Sequence, residues 1–275
     1  LQIPAAARQV PAMKTLGTQI ASAGFFSREL AMDALSGRDK DKLLSMLAQI
    51  ASAGEKAAEV MPMGPLSKMM GHQEPEVCAA AVTAMGRMGS AGAHYADDIA
   101  TYLLRHPDAK CRCAAVEALG HLGPLGKAAV HKAVAECLDD NDLSVRRSAL
   151  LALGAMQAQD QAKAVGERLD DPAPEMRAAA IESLSLLISI SQEVESMFPM
   201  DKMAAPLAGL LSDERTRQSA LLATYFLGER APEACVGAAV SALADSDGAT
   251  RQAAAAAVGS LGSAVVKSMA AMDNL

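Results

Sequence analysis

The stretch DDNDLSVRRSALLALGAM occupies residues 139–156 and runs into Gln157. Within it Val145, Ala149, Leu150 and Leu153 stand at helical spacing, so a helix here buries one stripe and frees the opposite side. Asp or Asn in the turn before it can accept the first unpaired backbone N–H groups. The phrase, whose core is RSALLALGAMQ (147–157), has counterparts along the chain: AAAVTAMGRMG (79–89), CAAVEALGHLG (113–123), AAAIESLSLLI (178–188), QSALLATYFLG (218–228) and QAAAAAVGSLG (252–262). Upstream, the hexapeptide QIASAG occurs twice, at 19–24 and 49–54. Aligned on Gly24, Gly54, Gly89, Gly123, Gln157, Ile188, Gly228 and Gly262, successive phrases lie 30, 35, 34, 34, 31, 40 and 34 residues apart. A drifting period of this length marks a helical solenoid. Gly at the end of a phrase supplies the left-handed conformation that stops a helix, which gives QIASAG a mechanical role and no chemistry.

A second helix precedes each phrase, as in HYADDIATYLLR (94–105), HKAVAECL (131–138), DKMAAPLAGLL (201–211) and EACVGAAVSAL (233–243). The unit is therefore helix A, a tight turn and helix B. Such a pair covers only one face alone and buries both when stacked on neighbours. The expectation is an all-α fold: one solenoid over residues 1–275 with about eight repeats. The interval of 40 holds SISQEVESMFPM (189–200), an insertion read as either a lengthened helix B with a loop or a kink. Composition agrees. The chain is 51% apolar but only 3% aromatic, with no Trp and 16 Met, which suits closely packed helices rather than a sheet.

The turn before helix B reads DNDLSVR (140–146), DPAPEMR (171–177) and DSDGATR (245–251). Its Arg recurs at 112, 146, 177, 217 and 251, with Cys78 in its place one repeat earlier. The phrases GHQEPEVCAAAVTAMGRMG, HPDAKCRCAAVEALGHLG, DDNDLSVRRSALLALGAM and DDPAPEMRAAAIESL together resemble HEAT repeats, closest to the short HEAT-like subtype first described around phycobilin lyases. The resemblance covers roughly residues 36–262. It implies a structural ladder of turn Asp and helix-B Arg: Asp140 with Arg146, Asp171 with Arg177, and Asp245 with Arg251. Arg112 and Arg217 have His106 and Leu211 six residues before them, and Asp108 and Asp213 are the available substitutes. The resemblance is specific for fold and not for function, since such repeats serve scaffolds, transport receptors, lyase subunits and a few enzymes.

No catalytic set emerges. Iron-binding HEAT-like hydroxylases use repeated His-Glu dipeptides, and the sequence has none. His94 with Asp97 and Asp98 is explained by acidic residues in a first helical turn. His72 and His106 fall at the same turn position in successive repeats. The phosphate-cradling GxxxxGK[ST] and the GxSxG elbow are both missing. The five Cys include no CxxC and read as reduced thiols inside a cell, in cytoplasm or in an organelle entered after removal of a targeting segment. No cofactor or metal is expected.

Net charge is −7; residues 1–137 sum to +1 and 138–275 to −8. That balance argues against nucleic acid, and no apolar run reaches membrane-spanning length. The N-terminal LQIPAAARQVPAM (1–13) and C-terminal SAVVKSMAAMDNL (263–275) lack strongly charged caps, which leans toward ends that meet neighbours.

In HEAT-type solenoids the B helices line a concave binding surface. With the recurring Arg as position zero, residues −1, +3, +4 and +7 form the buried stripe, and +1, +5 and +9 point away from it. The second row holds a polar group, Arg87, Glu117, His121 and Arg147, then an apolar series, Leu151, Leu186, Leu222 and Phe226. Glu182 lies among the latter. A slip in helix phase would make Leu186 and Phe226 core, so Leu151 and Leu222 are the firmer contacts. The expected role is a non-catalytic scaffold gripping another protein through these residues. The alternatives are a structural subunit of a large assembly and a chromophore-lyase-like or chaperone-like subunit, in which Glu117, Arg87, His121 and Arg147 would meet a bilin.

Overall fold

The computed structural model describes residues 28–262, apart from 38, 60, 62, 126, 127 and 199, together with Val265. The first QIASAG at 19–24, the N-terminal segment 1–13 and all of the C-terminal segment but Val265 lie outside the described residues. The described chain is built of helices and turns, without a strand. Seven helix pairs follow one another. The first three are α1 (Arg28–Ser36) with α2 (Lys40–Ala53), α3 (Met63–Met69) with α4 (Pro75–Arg87), and α5 (Ala96–Leu103) with α6 (Ala109–Leu122). Next come α7 (Ala128–Glu136) with α8 (Leu143–Ala155) and α9 (Ala162–Gly166) with α10 (Pro174–Ile190). The last are α11 (Met200–Ser212) with α12 (Arg217–Leu227) and α13 (Ala234–Ser241) with α14 (Gly248–Ser260). Odd-numbered helices are the A helices and even-numbered ones the B helices. Each B helix packs on the next, from α2 through to α14. The fold is an α-solenoid.

The stripe decides this packing. In α8 Val145, Ala149, Leu150 and Leu153 are fully buried, as are Cys111, Ala115, Val116 and Leu119 in α6. Each such Leu contributes about 2 kcal/mol by leaving water. In α14 the stripe is incomplete: Ala255 is exposed and Val258 half-buried, because no eighth pair among the described residues covers them.

Helix stops follow the aligned phrase ends. Gly54, Gly89, Gly123, Gly228 and Gly262 have φ between 53° and 64°, and Gln157 adopts φ 57° in the same place. Ile188 is the exception. There α10 continues to Ile190, Ser191 turns extended, and a short helix Gln192–Met197 follows before α11.

Neighbouring B helices approach through small residues. A Cβ added to Gly86 would lie 2.5 Å from Ala118 Cα, one at Gly120 3.0 Å from Ala152 Cα, and one at Gly154 2.9 Å from Ser183 Cα. These glycines stand eight residues after position zero and their counterparts six after it. The close approach therefore recurs in register.

The turns satisfy their own backbone. Arg146 donates to the carbonyls of Asp140 and Asn141, Arg177 to those of Asp171 and Pro172, and Arg251 to those of Asp245 and Ser246. Arg112 does the same to His106 and Pro107, and Arg217 to Leu211. The carboxylates of Asp140, Asp171 and Asp245 each accept the N–H two residues on. In two of the repeats without that Asp, Nδ1 of His72 and of His106 accepts the equivalent N–H. Within a repeat, Arg and Asp are thus joined through the turn backbone.

Ion pairs cross between repeats instead. Arg112 grips Asp140 of the next repeat at 2.7 and 2.8 Å, and Arg217 reaches Asp245 at 2.6 Å. Asp108 caps α6 through the Lys110 N–H, and Asp213 accepts the Arg215 N–H and pairs with its guanidinium, so neither pairs with Arg112 or Arg217.

Candidate binding face

The row at +1, +5 and +9 lies on the side of the B helices opposite the buried stripe. Arg87, Glu117, His121 and Arg147 are exposed. Leu151, Glu182, Leu186, Leu222 and Phe226 are half-buried. Ala178 is the one buried member of the row. Leu151 and Leu222 rest partly against the core cluster. The Phe226 and Tyr225 rings meet edge to face with centroids 5.4 Å apart.

The polar centre has internal order. Ser148 donates to Glu117 Oε1 at 3.1 Å, and Cys113 Sγ approaches the same oxygen at 3.5 Å. Cys113 and Ser148 are 3.4 Å apart. Burial pushes the Cys113 thiol up, so it is a protonated donor rather than a nucleophile. Loss of surrounding water lowers the His121 ring, with help from the Arg87 charge and against Glu117.

Glu182 is the most perturbed group on this face. It projects from α10 between Arg147 of α8 and Ser219 of α12. Burial pushes its carboxyl up to about 7, against the Ser219 hydroxyl and the Arg147 charge, which pull it down. Near neutral pH it is therefore divided between acid and carboxylate.

Two partners of this set escape a reading by helix phase: Ser148 and Ser219. Both sit at +2, where other repeats have Ala80, Ala114, Ala179 and Ala253. A hydroxyl at a position otherwise held by Ala was the signal available.

A shallow recess of about 340 Å³ opens at the N-terminal end of this face, lined by Lys110, Cys113, Glu117 and Ser144 among others. A larger outer groove, about 680 Å³, lies between α5 and α7 on the A-helix side. Among the described residues no three His, Cys, Asp or Glu side chains converge as metal ligands, and no helix is long and apolar enough to cross a membrane.

Residues 96–185 match the family model described as HEAT repeats. No curated protein matches the sequence. Among solved structures, the complex of CpcE and CpcF of phycocyanin lyase from Nostoc sp. PCC7120 superposes with a TM-score of 0.62 at 18% identity, covering 96% of this chain and 100% of that one. An engineered protein gives 0.47 at 18% identity, over 72% of this chain and 96% of its own. A designed armadillo repeat protein gives 0.41 at 20% identity, over 86% and 99%. The first of these likenesses carries the helical-repeat fold beyond residues 96–185.

Proposed function

We propose that this α-solenoid, which carries HEAT repeats over residues 96–185, is a non-catalytic scaffold that grips a partner protein on the open face of its B helices. The observation that carries the reading is the half-exposed apolar row Leu151, Leu186, Leu222 and Phe226, bordered by Arg87, Glu117, His121 and Arg147. An apolar strip with a charged margin is the composition of a protein-binding surface. The ladder residues Asp140, Asp171, Asp245, Arg112, Arg146, Arg177, Arg217 and Arg251 serve the solenoid itself in this reading.

The test is co-purification of the chain at low salt, followed by mass spectrometry of what elutes with it. Leu186→Asp with Phe226→Asp should release the partner while the helical circular dichroism is kept. Leu151→Asp with Leu222→Asp should do the same, with some loss of stability because both touch the core. Retention of the partner by both pairs contradicts the proposal.

The second reading is a lyase-like subunit, favoured by the likeness to the CpcE and CpcF complex. It predicts visible absorbance in the natively purified protein and its loss in Glu182→Ala.

A further inference from the structure

Two arginines distinguish the open face. Among described side chains, Arg105, Arg112, Arg168, Arg215, Arg217 and Arg230 each meet a carboxylate. Arg146, Arg177 and Arg251 are held by turn carbonyls. Arg87 and Arg147 have neither kind of partner among the described residues, and both are exposed on the same row. They are the exception in a chain of net charge −7.

The acidic groups of the B helices α4, α6 and α10 are, Glu182 apart, already engaged. Glu117 accepts from Ser148 and Cys113. At the N-terminal rim, Glu76 pairs with Lys40 and Glu175 with Arg215. Glu182 is the one carboxyl placed to offset Arg147, and it is enclosed between two helices rather than paired with it.

We propose that the partner presents an acidic amphipathic segment, its carboxylates on Arg87 and Arg147 and its apolar residues on Leu151, Leu186, Leu222 and Phe226. This rests on the open-face reading above and names the chemistry of its occupant. Arg guanidinium forks suit carboxylates, and such pairs are short and directional. The apolar row supplies the remaining contact, with the two kinds of surface lying side by side along successive helices.

Proton linkage follows from the same geometry. The groups bearing on Glu182 are Ser219 of α12 and Arg147 of α8; α9, α11 and the helix Gln192–Met197 bring no charge to it. An incoming carboxylate beside Arg147 disfavours the ionised Glu182, so docking takes up a proton. Affinity for an acidic segment then falls as pH rises through about 7, and a basic segment would show the opposite trend.

The experiment uses two fluorescein-labelled synthetic peptides with one leucine pattern, one bearing glutamates and the other lysines, titrated against the 275-residue chain by fluorescence anisotropy. The glutamate peptide should bind more tightly, and severalfold better at pH 6 than at pH 8. Arg87→Gln with Arg147→Gln should weaken it about tenfold or more. Glu182→Gln should keep the pH 6 affinity and flatten the pH dependence. Equal or tighter binding of the lysine peptide overturns the acidic-partner inference and leaves open-face binding standing. Failure of both peptides to bind overturns the inference too, and the co-purification variants then decide the wider reading independently. Glutamate-peptide binding that ignores the arginine substitutions also overturns it.

Discussion

Arg112 and Asp140, 28 residues apart in sequence, join adjacent repeats through two parallel hydrogen bonds of 2.7 and 2.8 Å. Their side chains are only 15% and 11% exposed, and the same guanidinium also holds the carbonyls of His106 and Pro107. One side chain thus fixes both its own turn and the spacing to the next repeat. Lys offers no such fork. Arg112→Lys should therefore destabilise the chain by about 2–3 kcal/mol in urea unfolding, and a loss below a few tenths would show that the clamp is incidental.

The pH dependence of this clamp has a definite sign. The Arg112 hydrogen bond holds the Asp140 carboxyl below its usual range. A depressed folded-state pKa gives stability that is present above the unfolded value of 3.8 and lost as pH falls through the folded one. Melting temperatures measured from pH 6 downward should fall more steeply for the natural chain than for Asp140→Asn.

Glu182 contributes with the opposite sign. Its folded-state pKa is raised from 4.5 to about 7, so its stability contribution is complete below 4.5 and is lost as pH rises through about 7. Glu182→Gln should be more stable than the natural chain at pH 8, by up to about 3 kcal/mol, with the difference shrinking toward pH 5. An unchanged difference across that range would mean the carboxyl is not enclosed as described.

Two glycines separate packing from propensity. A methyl at Gly86 meets the Ala118 backbone, whereas one at Gly209, inside α11, meets nothing within 4 Å. Gly86→Ala should cost about 1–3 kcal/mol by forcing helices apart. Gly209→Ala should stabilise by about 0.5–1 kcal/mol. Thermal unfolding of both variants reads the contrast directly.

Gln157 occupies the left-handed stop that Gly fills in neighbouring repeats. Gln157→Gly should gain about 0.5–1 kcal/mol, since a side chain is disfavoured there. A destabilised variant would mean that its side chain makes a compensating contact.

The solenoid was legible because helix phase alone sorts its residues. The stripe at −1, +3, +4 and +7 needs only a period of 3.6 and a marker Arg, and its members in α4, α6, α8, α10 and α12 are all buried. The phrase ends were legible for the same local reason. The cross-repeat reach of Arg112 to Asp140 was not, because it depends on the spacing of neighbouring helices, which no single helix encodes. Glu182 shows the same limit. Its phase places it on the open row beside Leu222, but its enclosure comes from α8 and α12 on either side. The standing of Leu186 and Phe226 relative to Leu151 and Leu222 also depends on how adjacent helices are rotated.

The most direct measurement is hydrogen–deuterium exchange of the natively purified chain, with and without the protein that elutes with it. Gripping by the open face predicts new protection in peptides of α8, α10 and α12, with α7, α9 and α13 unchanged. Protection confined to the A helices or to the ends of the solenoid would contradict it, and would make the chain a subunit held by its outer surface.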